Sequence, residues 1–159
     1  MNIQILAVGK IKDKYMAEGI EEYLKRLVPY ARVSVHQVND EKIPDNASPA
    51  EEASVLEQEG ARLEKLINPD AYLIALAIGG KLLSSPELAS HLEQLATAGK
   101  SRVAFLIGGS LGLSPRLLAR ADMLLSFSPL TFPHQLFRLL LLEQLYRSFK
   151  IIRGEPYHK

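Results

Sequence analysis

The sequence predicts an α/β fold, a mainly parallel sheet flanked by helices, in one domain over residues 1–159. Three observations predict it. Apolar spacing switches repeatedly between the two-residue period of a strand and the three-to-four-residue period of a helix. The segments Ala71 to Ile78 and Val103 to Ile107 are apolar on both faces, as strands covered by helices on each side must be. No stretch is long or biased enough to act as a linker, and the length suits one core.

Each element follows from local chemistry. Ile3, Ile5 and Ala7 alternate with Gln4 and Leu6 and run into Gly9, a first strand. From Asp13 to Leu27, Met16, Ile20, Tyr23, Leu24 and Leu27 fall at helical spacing, and Pro29 ends that helix because it lacks an N–H. Val33, Val35 and Val38 give a second strand, followed by a polar loop from Asp40 to Ser48. Ser48, Pro49 and Glu51 have capping-box spacing, and the helix they open carries Ala53, Leu56, Gly60, Leu63 and Ile67 before Asn68-Pro69 stops it. The strand from Ala71 to Ile78 is closed by Gly79-Gly80. A third helix starts near Ser84-Ser85-Pro86-Glu87 and ends at Gly99. The strand Val103 to Ile107 leads into Gly108-Gly109-Ser110-Leu111-Gly112, and a short helix begins near Ser114-Pro115. Met123 to Phe127 is a last strand, His134 to Phe149 a long helix, and Lys150 to Lys159 a tail.

Composition narrows the function classes. With no cysteine, thiolate catalysis, Cys-ligated zinc, iron–sulfur clusters and disulfides are excluded. The four histidines, 36, 91, 134 and 158, show no metal-ligand spacing, so no metal is expected. The first ten residues lack the basic start and apolar stretch of a signal peptide, and no apolar run approaches the roughly 20 residues of a membrane helix. A cytoplasmic protein without a membrane partner is expected. With 19 basic against 18 acidic residues and 23% charged overall, the chain is neither disordered nor supercharged.

In open parallel sheets ligands bind beyond the carboxyl ends of the strands. Three loops there are rich in Gly, Ser and Pro: Ile78 to Leu83, Gly108 to Ser114, and Ser128 to Pro133. Singly, each glycine reads as an ordinary strand-to-helix turn. Gly108-Gly109-Ser110-Leu111-Gly112 fits neither a dinucleotide fingerprint nor a Walker loop, and Gly80-Lys81 lacks the rest of a phosphate loop.

The last helix is apolar beyond one stripe, through Leu136, Phe137, Leu139 to Leu142, Leu145, Tyr146 and Phe149. Little core is expected to remain for it, which favours a homodimer about a two-fold axis over a buried core helix. The end of the chain is basic, with Arg147, Lys150, Arg153 and Lys159 against Glu155, and it carries Tyr157 and His158. Such a patch suits either an RNA backbone with a stacked base or a solvated tail.

Three groups of residues are specific enough to carry a resemblance: Thr131-Phe132-Pro133-His134-Gln135-Leu136, Glu143-Gln144-Leu145-Tyr146-Arg147, and Pro156-Tyr157-His158-Lys159. With Ala7-Val8-Gly9-Lys10, Gly80-Lys81 with Leu83-Ser84-Ser85, and Phe105 to Leu113, they span the chain, which resembles the bacterial ribosomal RNA large-subunit methyltransferase H family of the SPOUT superfamily. The resemblance implies an S-adenosylmethionine-dependent methyltransferase acting on N3 of a pseudouridine in 23S ribosomal RNA, in assembled ribosomes, as a homodimer with a C-terminal trefoil knot. Physical priors alone point away from a knot. By the resemblance, the cofactor positions are Leu76, Gly108, Phe127, Ser128, Pro129, Leu130, Thr131 and Phe132. The catalytic positions are Glu143, Arg147, Tyr157 and His158, and the RNA contacts are Arg147, Arg153, Tyr157, His158 and Lys159. Family members commonly carry an acidic residue after the position of Leu76, where this chain has Ala77.

The acceptor N3–H is a weakly acidic imide, so a base is needed. His158 is the natural candidate, since histidine ordinarily titrates near 6.5, with Glu143 as the second. Pairing of Glu143 with Arg147 four residues on would lower its basicity. Leu76, Leu130 and Phe132 are expected to give the donor a dry pocket, with the last residues of the chain closing over the acceptor base at the same niche. His134 is expected to cap or pack at its helix start, and His36 and His91 to be structural or solvated. Alternatives are a SPOUT enzyme acting on another RNA nucleotide, a non-catalytic ribosome-associated binding or assembly protein, and a flavodoxin-like nucleotide-binding module.

Overall fold

The computed structural model describes all 159 residues. Ten elements alternate along the chain: β1 (Asn2–Val8), α1 (Lys14–Leu27), β2 (Arg32–Val38), α2 (Pro49–Glu64), β3 (Tyr72–Leu82), α3 (Ser85–Thr97), β4 (Arg102–Ile107), α4 (Pro115–Arg120), β5 (Met123–Ser126) and α5 (His134–Ile152). The five strands form one sheet in the order β2-β1-β4-β3-β5, and every pairing is parallel. No helix is long and apolar enough to cross a membrane.

The helix starts obey the sequence signals. Ser48 accepts from the Glu51 N–H while the Glu51 carboxylate accepts from the Ser48 N–H, and Ser84 and Glu87 repeat the arrangement at α3. Alternate residues of the central strands feed two cores. Ile3, Ile5, Phe105 and Ile74 face α1, α3 and α5, whereas Leu6, Val8, Leu73 and Leu106 face the α2 and α4 side, with Leu63 and Leu117.

Two expectations need correction. Gly79-Gly80 does not end β3. Leu76 pairs with Leu125, residues 77–80 bow out of the ladder, and Lys81 pairs again with the same Leu125. Gly80 is what lets the strand rejoin: a Cβ there would stand 2.7 Å from the Leu124 carbonyl carbon. The second correction concerns α5, which does find room in the core. Leu141, Leu142 and Leu145 are fully buried, and the helix packs on both α1 and α3. It also runs three residues beyond Phe149, to Ile152.

Candidate active site

The bow in β3 matters because it lines a cavity of about 640 Å³ at the carboxyl ends of β3, β4 and β5. Three chain segments build it. Leu76 from the last paired position before the bow and Ala77 and Ile78 from the bow itself make the first. Gly108 to Leu113 from the turn after β4 make the second, and Phe127, Ser128, Thr131 and Phe132 from the connection into α5 the third. The volume suits a ligand of cofactor size. Gly108 belongs here for a steric reason: a Cβ on it would lie 2.3 Å from the Gly112 carbonyl carbon, so any side chain would force the turn open.

Six of the eight cofactor positions expected from the sequence therefore line the cavity, and Pro129 and Leu130 do not. They form the exposed tip of the loop, with Leu130 68% exposed. The tip is tied down by Ser128, whose hydroxyl accepts from the Leu130 N–H at 3.0 Å and whose carbonyl accepts from the Ser126 hydroxyl at 3.2 Å. With its side chain turned outward, Leu130 is no part of a dry wall. That role falls to Leu125, Phe127, Phe132 and Phe137, whose rings meet edge to face at 5.8 and 5.6 Å.

No carboxylate lines the cavity, since Ala77 occupies the position where one was expected. The charged groups stand behind its walls. Arg138 is fully buried, donates to the carbonyls of Val8 and Gly9 at 2.8 and 2.6 Å and to Gln37 at 3.0 Å, and is lowered by burial to about 10. It remains a cation at neutral pH, held by dipoles rather than by an opposite charge. His134, one turn earlier, lines the cavity as well as opening the helix, and burial plus the Arg138 charge push its imidazole below the ordinary value. The ring is neutral at pH 7. On the other sheet face Glu59 is 4% exposed and its carboxyl is pushed up by burial. One oxygen accepts from the Glu41 N–H at 3.0 Å, while Oε1 has no partner and lies against Gly109. The sequence flagged neither Arg138 nor Glu59. An arginine inside an otherwise apolar helix stripe was the available signal.

The four residues expected to be catalytic do meet one another. Glu143 accepts from Arg147 Nη2 at 2.6 Å and from the Tyr157 hydroxyl at 3.0 Å. The guanidinium covers the Tyr157 ring at 4.7 Å, and its Nη1 lies 3.2 Å from His158 Nδ1. Arginine can only donate, so Nδ1 is the acceptor and the imidazole lone pair on that side is in use. Burial pushes the Tyr157 hydroxyl well above its ordinary range, which keeps it a donor. The other tail cations are also engaged: Lys150 with Glu155 at 2.6 Å, and Arg153 with the Pro29 carbonyl at 3.1 Å and the Tyr30 ring at 4.5 Å. Lys159 is exposed.

What the structure does not do is bring this cluster to the cavity of the same chain. Arg147 lies thirteen residues along α5 from the cavity-lining His134, about 20 Å at the helical rise. The tail is anchored on Pro29 and Tyr30, which precede the amino end of β2, whereas the cavity lies at the carboxyl ends. The expectation that the last residues close over the cavity fails within one chain, because α5 spans the sheet from one end to the other. His91 is half-buried beside Tyr72 in a shallow hollow at the sheet edge, and no cluster of three or more His, Cys, Asp or Glu side chains is placed to hold a metal ion.

Residues 1–158 match a family model described as "Predicted SPOUT methyltransferase". The chain is 58% identical over its full length, and that of the relative, to a ribosomal RNA large subunit methyltransferase H from Listeria monocytogenes. It is 57% identical, again over both full lengths, to the protein of that name from Carboxydothermus hydrogenoformans. Among solved structures, a probable methyltransferase from Bordetella pertussis Tohama I shares the fold at a TM-score of 0.56, with 15% identity over 92% of this chain and 95% of that one.

Proposed function

The chain belongs to the SPOUT methyltransferase family, and on that premise we propose that it methylates ribosomal RNA, using S-adenosylmethionine to modify N3 of a pseudouridine in 23S RNA on assembled ribosomes in the cytoplasm. The reading includes a trefoil-knotted C-terminal half and a working homodimer. The observation that carries it is the cavity built jointly by the β3 bow, the Gly108 turn and the loop into α5, with a volume of about 640 Å³.

The residues present fit the donor. The Gly108 turn lets backbone approach a flat ring, Phe127 and Phe132 supply apolar faces, and Ser128 and Thr131 supply hydroxyls. With Ala77 in place of a carboxylate, the donor's cationic groups would meet carbonyl dipoles and aromatic faces instead. When bound, the donor supplies an electrophilic methyl group on a sulfonium. The aromatic lining excludes water, which strengthens every polar contact made inside.

Proton removal from the acceptor falls to the tail cluster. Both Glu143 oxygens already accept hydrogen bonds from Arg147, which favours His158 as the acceptor of the N3 proton once its Nδ1 turns from Arg147. Arg147 is then free to stabilise the developing imide anion. A second copy supports this chemistry where one chain cannot. Leu136, Leu140, Glu143 and Arg147 form one half-buried stripe on α5, at helical spacing. Two such helices paired in opposite directions about a two-fold axis would carry each tail to the other's cavity.

The tests are direct. Calorimetry should detect S-adenosylmethionine binding at one site per chain, and intact ribosomes should accept methyl groups while free RNA does not. Absence of donor binding would leave a ribosome-associated binding protein instead. For the shared site, Gly108→Val and Arg147→Ala copies, each inactive alone, should regain activity when mixed, because one hybrid site is intact. Failure of that mixture, or a monomer in solution, would overturn the dimeric arrangement.

A further inference from the structure

The loop after β1 carries positive charge that the rest of the molecule leaves unpaired. Residues 10–15 read Lys10-Ile11-Lys12-Asp13-Lys14-Tyr15, three lysines against one aspartate. Lys10 and Lys12 are exposed with no ion pair, and Lys14 meets Glu18 only loosely, at 3.8 Å with 90% of its side chain in solvent. Tyr15 is 68% exposed, an open aromatic face beside the lysines. The first turn of α1 holds no acidic residue, and its N-cap Asp13 makes no side-chain bond, so the N–H groups there stay open to an anion. The contrast is with the tail, where Arg147, Lys150 and Arg153 are all engaged within the chain.

Position and rigidity add to the charge. Gly9, immediately before Lys10, packs on the cavity-lining His134, whose Nε2 is 3.5 Å from where a Gly9 Cβ would be. The Ile11 N–H donates to Gln37 Oε1 at 3.4 Å, the same oxygen that takes a bond from buried Arg138. The start of the segment is thus held to the core beside the cavity-lining His134, which limits the ordering cost of binding there.

We propose that residues 10–15 are an RNA-docking rim, in which Lys10, Lys12 and Lys14 hold backbone phosphates of the ribosomal substrate and Tyr15 stacks on an unpaired base next to the nucleotide being modified. The proposal rests on the ribosomal RNA reading above. Phosphates suit compact lysine charges, and an exposed ring beside them suits single-stranded RNA better than a protein or lipid surface.

The test compares the wild type with a Lys10→Ala/Lys12→Ala/Lys14→Ala variant and with Tyr15→Ala, using intact large ribosomal subunits as the probe. For the triple variant, KM should rise about tenfold or more, and the slope of log affinity against log salt should shrink by about 2, roughly 0.7 for each lost phosphate contact. Tyr15→Ala should weaken binding with the salt slope unchanged. Donor affinity and oligomeric state should stay as in the wild type. Unchanged KM and salt slope in the triple variant would overturn the rim. Co-sedimentation with the subunits reads docking without turnover, so a wild type that binds but transfers no methyl group would sink the enzymatic reading and leave the rim standing.

Discussion

The two ends of α5 make opposite use of charge. At the His134 end the cavity is walled by backbone, hydroxyls and aromatic rings, and Arg138 is buried behind the wall with no carboxylate partner. At the far end Glu143, Arg147, Tyr157 and His158 are charged or polar, partly solvated, and bonded to one another. The first region is built to hold something without help. The second, in an isolated chain, has satisfied itself, and its groups become available only by exchanging those bonds for bonds to a substrate. The exchange keeps each polar group bonded, to substrate in place of its neighbour, so no half-buried charge is left without a partner. The difference separates a preformed cavity from a set of groups held ready for use elsewhere.

The largest effect should come from filling the cavity wall. Gly108→Val places atoms where the Gly112 carbonyl carbon is 2.3 Å from even a Cβ. Overpacking of this degree costs about 1–3 kcal/mol or more, and calorimetry should register loss of donor binding by more than about a hundredfold. Circular dichroism checks that the fold survives. Next, Arg147→Ala should cut methylation by about a hundredfold, as removal of a charge-stabilising donor does, while donor affinity and the urea midpoint barely move. If donor affinity fell with it, the separation of the two ends would be wrong. Arg138→Met should do the reverse in kind. Removing the donor to the Val8 and Gly9 carbonyls should lower unfolding free energy by about 3 kcal/mol, read from urea denaturation.

Legibility in the sequence follows the range of the interactions. Capping boxes at Ser48 and Ser84 are settled within four residues, and strands apolar on both faces announce their layers, so the helix starts and the sheet could be read directly. The carboxyl-end loops were legible for the same reason. Gly80 was misread because one glycine signal serves both a strand end and a close backbone approach, and only the neighbouring β5 decides between them. Arg138 escaped notice since its partners, Val8, Gly9 and Gln37, lie more than a hundred residues away. The tail was legible as a set of residues through family resemblance. Its distance from the cavity was not, because that depends on the direction in which α5 crosses the sheet.

The smallest effect tests whether the cavity end tolerates charge at all. His134 is held below its ordinary pKa chiefly by burial, then by Arg138, with Asp40 acting in the opposite sense. For a histidine with a lowered folded pKa, the unfolded chain binds the proton first as pH falls. Stability is therefore full above the unfolded value near 6.5 and declines as pH drops from there toward the folded pKa. His134→Gln, which keeps a polar group of similar size, should flatten that decline in urea titrations between pH 7 and 5. Across the same interval, donor affinity in the wild type should weaken, because a protonated His134 puts a second positive charge beside Arg138 and opposite a cationic ligand. A His134→Gln variant whose stability fell as steeply as the wild type's between pH 7 and 5 would show that this imidazole does not govern the decline.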